Sequence, residues 1–270
     1  MTEPRPESLA AALARLYDVD LLEDPGDIDL YLALAGRVKG PILEIAAGSG
    51  RVALPLAEAG YEVTLVDIDS AMLARAKAAA EQSGPDVAGR LEFVTADLVG
   101  LALPGGAKFG LAILALNSIL LLGSRELQRQ ALETMARHLA PGGIAVVDVW
   151  LPSADELARY DGRLSLEYVR DDPFTGRTVT KIAAAQHEPA TGHVALTVIY
   201  DEGEQGGPVR RWVREDRLCL LNAADLASLA QSAGLSIEVV AGDYDLNALS
   251  AQDERAILIA RRRGRPAPRP

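Results

Sequence analysis

The residues Pro41-Ile42-Leu43-Glu44-Ile45-Ala46-Ala47-Gly48-Ser49-Gly50-Arg51 have the types and spacing of a nucleotide site. A short apolar run ends in a glycine turn, and a helical pattern (Val52, Leu54, Leu56, Ala57) follows at once. Glycine at 48 and 50 lets the backbone turn sharply and leaves no side chain between it and a bound group. The unpaired N–H groups and positive dipole end of the helix favour an anionic or oxygen-rich ligand there. Downstream, the run Tyr61–Val66 ends in Asp67, where the acid of a Rossmann-like unit faces ribose hydroxyls. Gly48-x-Gly50-x-x-Ala53 with this acid fits a loose dinucleotide fingerprint, whose chemistry would be hydride transfer by an NAD-dependent oxidoreductase. Glu44 does not suit that reading, because a central parallel strand is buried on both faces and is ordinarily apolar. An ordinary strand–helix turn without a ligand is the remaining alternative.

The elements that must position these residues follow from periodicity. Leu9, Leu13, Leu16 and Tyr17 recur at helical spacing, and Asp24-Pro25-Gly26-Asp27 breaks that helix. A second helix is expected over 28–38. The first strand runs from Pro41 into the glycine turn, a helix after it ends near Gly60, and a second strand, 61–67, is followed by a helix with Asp69 at its N-cap and Ser83-Gly84-Pro85 at its end. A third strand, 91–95, leads into Ala96-Asp97-Leu98, and a fourth, 109–116, into Asn117-Ser118. A helix over 124–139 and the turn Pro141-Gly142-Gly143 precede a fifth strand, 144–150. This alternation predicts a parallel sheet with helices on both faces. From about Arg163 the rhythm changes to four strands (164–170, 177–187, 194–201, 209–221) joined by short turns, an inserted antiparallel sheet. A helix capped by Asn222 and strands over 235–240 and 256–260 complete the alternating pattern. The expected organisation is a helical cap (1–40), a core (41–160), the insertion as a lid or substrate platform (161–221), completion of the core (222–263) and a disordered tail (264–270).

Composition excludes several classes. The formal charge of −11 argues against nucleic acid as the main partner. The acidic stretch 18–29 reads as solvated surface, and Arg261-Arg262-Arg263-Gly264-Arg265 as part of a disordered tail. Lone Cys219 excludes an internal disulfide framework and reads as a small core residue. No apolar run has the length of a membrane span, and no signal peptide is evident, so a cytoplasmic protein is expected. The histidines are far apart and no ligand spacing predicts a metal site. Arg210, Arg211, Arg214 and Arg217 alternate between two faces of one strand, which suits a solvated sheet edge; a carboxylate- or phosphate-bearing acceptor is the functional alternative.

Taken in order, four motifs resemble the class I S-adenosylmethionine (SAM)-dependent methyltransferases. They are Glu44-Ile-Ala-Ala-Gly48-Ser-Gly50-Arg51, Val66-Asp67-Ile68-Asp69-Ser70-Ala71-Met72-Leu73, Thr95-Ala96-Asp97-Leu98 and Pro141-Gly142-Gly143. The antiparallel insertion is similar to that of a bacterial small-molecule branch, the glycine and amino-sugar N-methyltransferases. The resemblance implies a seven-stranded Rossmann-like sheet, SAM as cofactor and methyl transfer to a nitrogen or oxygen of a small molecule. It places Ala46, Gly48 and Gly50 around the methionine portion, with Glu44 toward its ammonium. Asp67 would accept from the ribose hydroxyls, Ile68 and Met72 would cover adenine, and Asp97 and the Leu98 N–H would face the adenine edge. Asn117 would close the methionine side through its carbonyl, with its side chain open to the substrate. Many relatives have Asp at the start of the fourth strand, where this chain has Phe109-Gly110-Leu111.

In-line transfer needs positioning more than protein nucleophiles. A hydroxyl acceptor would want a base, for which Tyr17, Asp148, Tyr168 and His187 are the candidates; a neutral amine would not. A non-catalytic SAM-binding protein is a further alternative, and a homodimer stays open.

Overall fold

The computed structural model describes residues 7–106, 108–204 and 206–263. The expected tail, 264–270, lies outside them. In chain order the elements are α1 (Leu9–Asp20), α2 (Ile28–Ala35), β1 (Ile42–Ile45), α3 (Ala53–Glu58), β2 (Val63–Asp67), α4 (Ser70–Ser83), α5 (Pro85–Ala88), β3 (Leu91–Thr95), β4 (Phe109–Leu114), α6 (Arg125–His138) and β5 (Leu139–Trp150). Then come α7 (Ala154–Arg159), β6 (Asp161–Asp171), β7 (Thr178–Glu188), β8 (His193–Gly203), β9 (Val209–Cys219), α8 (Ala223–Ser232), β10 (Leu235–Ala241) and β11 (Arg255–Arg262). The described residues form two units, 26–152 with 219–263, and 7–25 with 153–218.

The larger unit is a seven-stranded sheet in the order β10-β11-β5-β4-β1-β2-β3. Pairs from β3 through β5 are parallel, whereas β11 runs antiparallel to both β5 and β10. Strands β1 and β4 are buried along their whole length, as the apolar run of β4 requires and as β1 shows with Glu44 its one polar residue. Asp69 and Asn222 cap α4 and α8 with their side chains, as the sequence predicts. Pro141-Gly142-Gly143 does not precede β5 as a separate turn but lies within it, at an irregularity where Phe109 pairs with Leu139 and Leu111 already with Ile144. Gly110 has a steric reason: a Cβ there would lie 2.4 Å from the Lys39 carbonyl oxygen, so an acidic side chain cannot occupy this position without moving the backbone. The basic run at 261–262 is strand rather than tail, with Arg261 donating to Glu238 and Gly142 and Arg262 donating to Leu139.

The smaller unit is the four-stranded sheet β6-β7-β8-β9 with α1 packed on it. The division therefore separates the expected 1–40 cap: α1 joins the inserted sheet and α2 joins the core. The physical reason is the content of the α1 surface. Leu16 is buried with Val179, Val198 and Tyr200, and Arg15 ion-pairs with Asp172 and Glu202. The arginines of edge strand β9 are engaged, Arg211 with Asp201, Arg214 with Asp216 and Arg217 with Glu188. Among the described residues no helix is long and apolar enough to cross a membrane.

Candidate cofactor site

The strand order reverses between β1 and β4, the switch point where open α/β sheets bind ligands beyond the carboxyl ends of their strands. The glycine turn lies there. Ala46, Gly48 and Gly50 all take positive φ, at 54°, 56° and 82°; at Ala46 a side chain is held in a region that L-residues rarely adopt. A Cβ at Gly50 would lie 3.0 Å from Cβ of Ala76 in α4, so only glycine lets the turn pack this closely.

Asp67 holds the turn from the end of β2. Its Oδ2 accepts from the Gly48 N–H at 2.8 Å and its Oδ1 from the Asp69 N–H at 2.8 Å. Each oxygen keeps a further lone pair for a ligand hydroxyl. Ile68, next along the chain, is 70% exposed, and Met72 is half-buried on the first turn of α4. Beyond β3, Asp97 is exposed and accepts from the Val99 N–H at 2.8 Å, while Leu98 is half-buried.

Glu44 is 3% exposed, and its Oε2 is buried without a hydrogen-bond partner. Burial pushes its carboxyl up to about 8, although the Arg51 charge and a hydrogen bond from the Ala53 backbone pull the other way. A buried acceptor left unpaired costs about 1–3 kcal/mol. A cationic donor would supply both the missing hydrogen bond and the missing charge, so the ammonium of a methionine moiety fits this atom.

Two groups escaped the sequence reading. Asp27, in the stretch expected to be solvated, is fully buried and takes Arg51 bidentately, with both N–O distances at 2.6 Å. Asp20, from the same stretch, accepts from the Tyr168 hydroxyl at 2.6 Å, the Tyr200 hydroxyl at 2.7 Å and Lys181 at 2.9 Å. The acidic run itself was the only available signal; nothing local distinguishes these two acids from their solvated neighbours.

The candidate bases are largely committed elsewhere. Asp148 is fully buried, its Oδ1 held by Arg255 at 2.5 Å and its Oδ2 by the Tyr244 hydroxyl at 2.7 Å. It is an anchor for two side chains rather than a free base. Tyr168 keeps its proton: burial and the hydrogen bond to Asp20 both raise its pKa. Tyr17 lies half-buried on α1 and His187 half-buried on β7, where its backbone N–H donates to the Tyr160 carbonyl at 3.0 Å. These last three belong to the smaller unit. Asn117 lies just beyond the end of β4. Its Oδ1 accepts from the Trp150 N–H and its carbonyl from the Leu120 N–H at 2.8 Å, so it ties β4 to the end of β5. Among the described residues no cluster of His, Cys, Asp and Glu could hold a metal ion.

Residues 42–143 match the family described as a methyltransferase domain. A dTDP-3-amino-3,4,6-trideoxy-alpha-D-glucopyranose N,N-dimethyltransferase of Streptomyces venezuelae is 29% identical over 139 residues, 51% of this chain and 54% of that one. The match thus spans about half the length of this curated relative. Among solved structures, the CcbJ methyltransferase of Streptomyces caelestis aligns with a TM-score of 0.77 at 24% identity, covering 96% of this chain and 100% of that one. The sugar N-methyltransferase KedS8 of Streptoalloteichus sp ATCC 53650 aligns with a TM-score of 0.72 at 21% identity, covering 97% of each. At these identities the structural likeness speaks to the fold.

Proposed function

From the premise that this chain carries a methyltransferase domain on the fold of the SAM-dependent methyltransferases, we propose that it transfers a methyl group from SAM to the amine nitrogen of a small-molecule acceptor. The observation that carries the cofactor half is the unpartnered Glu44 carboxylate oxygen beside the glycine turn. In this reading Glu44, Ala46, Gly48 and Gly50 take the methionine portion, and Asp67 takes the ribose. Ile68 and Met72 cover the adenine, Asp97 and Leu98 meet its edge, and Asn117 shapes the floor between β4 and β5. Bound SAM supplies a methyl carbon on a sulfonium leaving group.

Nitrogen is favoured over oxygen by the state of the acids. A hydroxyl nucleophile needs its proton removed, yet Asp148 has both oxygens engaged and Tyr168 donates to Asp20. An amine arriving as the free base brings its own lone pair, and the protein then has only to position it and exclude water. The names of the similar proteins, which include sugar N-methyltransferases, support the same acceptor class.

The test has two stages. Calorimetric titration with SAM, S-adenosylhomocysteine and NADH should give binding of the two adenosyl ligands and none of NADH; NADH binding alone would replace the reading with the dehydrogenase. Transfer of label from methyl-tritiated SAM is then compared on a nucleotide-linked amino sugar and on its hydroxy counterpart. Label on the amine supports the proposal, and label on the hydroxyl compound alone overturns its nitrogen half.

A further inference from the structure

Glu44 is not the only buried orphan of the larger unit. The hydroxyl of Tyr31, on α2, also lacks a hydrogen-bond partner, and the residue is 1% exposed. Register relates the two. Ile42 pairs with Leu111, Glu44 with Ile113, and Ile113 with Val146. Side chains alternate across a sheet, so Ile42, Glu44, Leu111, Ile113, Val146 and Asp148 share one face. Tyr31 packs on that face, in one core cluster with Ile42, Leu111, Ile113 and Val146. The charged groups around its hydroxyl include Asp148, Asp27, Arg51 and Arg255, with the Tyr244 phenol; those around Glu44 include Arg51, Asp27 and Asp67. Both orphans therefore have the Asp27–Arg51 pair as a common neighbour.

The neighbours do not offer Tyr31 a partner. Asp27 holds Arg51 through both oxygens, and Asp148 holds Arg255 and Tyr244. These are two balanced ion pairs, and Asp67 adds an anion on the Glu44 side of the face, where an ammonium is favoured. Among the described residues of this unit, what remains is one donor, the Tyr31 O–H, and one acceptor, Glu44 Oε2. An α-amino-acid head group is the complement: its carboxylate lacks a donor and its ammonium lacks an acceptor. We infer that Tyr31 donates its hydroxyl proton to the α-carboxylate of SAM while Glu44 accepts from the α-ammonium, so that the two orphans together clamp the zwitterion. The inference rests on the SAM-binding reading above and gives the cofactor a partner from α2, which none of the four motifs contains.

Three ligands separate the possibilities: SAM, decarboxylated SAM (ammonium but no carboxylate) and 5′-methylthioadenosine (neither). Calorimetric affinities are measured for the wild type, Y31F and E44Q. Loss of a hydrogen bond to a charged group predicts about tenfold weaker SAM binding by Y31F. Decarboxylated SAM and methylthioadenosine should bind Y31F as they bind the wild type, the latter also reporting an intact fold. E44Q should weaken SAM and decarboxylated SAM and spare methylthioadenosine. Equal weakening of SAM and decarboxylated SAM by Y31F would overturn the carboxylate contact, as would unchanged SAM affinity, the outcome if a buried water satisfies the hydroxyl. Loss of methylthioadenosine binding by Y31F would mark Tyr31 as a packing residue. Failure of the wild type to bind SAM at all would instead remove the reading on which the clamp rests.

Discussion

The carboxylate of Asp67 is bonded to two backbone N–H groups before any ligand arrives, so its removal has two effects. Asp67→Ala leaves the Gly48 and Asp69 N–H groups without their acceptor and removes the proposed partner of the ribose. Each lost partner in a buried site costs about 1–3 kcal/mol, which predicts a SAM dissociation constant raised roughly 10–100-fold. Calorimetry reads that loss, and denaturant titration of the unliganded variant reads a separate loss of stability from the turn. Glu44 gives a pH signature. Its carboxyl sits at about 8 in the folded protein against 4.5 ordinarily, so between those values the folded state holds a proton that the unfolded state has released. Unliganded stability from this group is complete below about pH 4.5 and falls as pH rises toward 8. Urea midpoints taken across that window should decline in the wild type, and E44Q should lack that component. Glu44 was legible in the sequence because a carboxylate inside an apolar strand is conspicuous on its own. Asp148 was not, because its partners Tyr244 and Arg255 lie 96 and 107 residues away in the chain.

Strands and helices were readable wherever the pattern is local. Alternation in Val194, Leu196, Val198 and Tyr200 marked β8, and short turns marked the hairpins around it. The surface that α1 packs on was not readable: a stripe of apolar residues at helical spacing states that one face is covered without stating by what. The answer depends on Arg15. Its Nη1 reaches Asp172, its Nη2 reaches Glu202 at 2.7 Å, and Glu7 closes the arrangement at 3.0–3.1 Å. Asp172 and Glu202 have fully buried side chains. Arg15→Met fills a similar volume but leaves two buried carboxylates without this cation. Breaking a buried pair from one side costs about 3–5 kcal/mol. The remaining partners, Phe174 and Thr175 donating to Asp172 and Trp212 and Arg177 donating to Glu202, favour the low end. Urea unfolding followed by the fluorescence of Trp212 in a W150F background checks this prediction; an unchanged midpoint would mean that the ion pairs do not hold α1.

For the whole molecule, the alternation of strands and helices up to residue 150 made the parallel core legible, and the change of rhythm after it made the insertion legible. The division of the first forty residues was hidden, because it rests on pairings between α1 and strands more than 150 positions later, such as Arg15 with Asp172. That pairing has a consequence for how the protein is made. The ribosome releases α1 before Gly26–Pro152, and the sheet that receives it only after that whole segment has been built. At about 5–20 residues per second, α1 waits on the order of 10–40 s with Arg15 unpaired and Leu16 uncovered. A protease should cut α1 in nascent chains stalled before β8 emerges and spare it once β9 has cleared the exit tunnel; early protection would refute this order. A helix translated before the core is thus among the last elements to find its place, and during that interval α1 of every new copy is a natural client for chaperones.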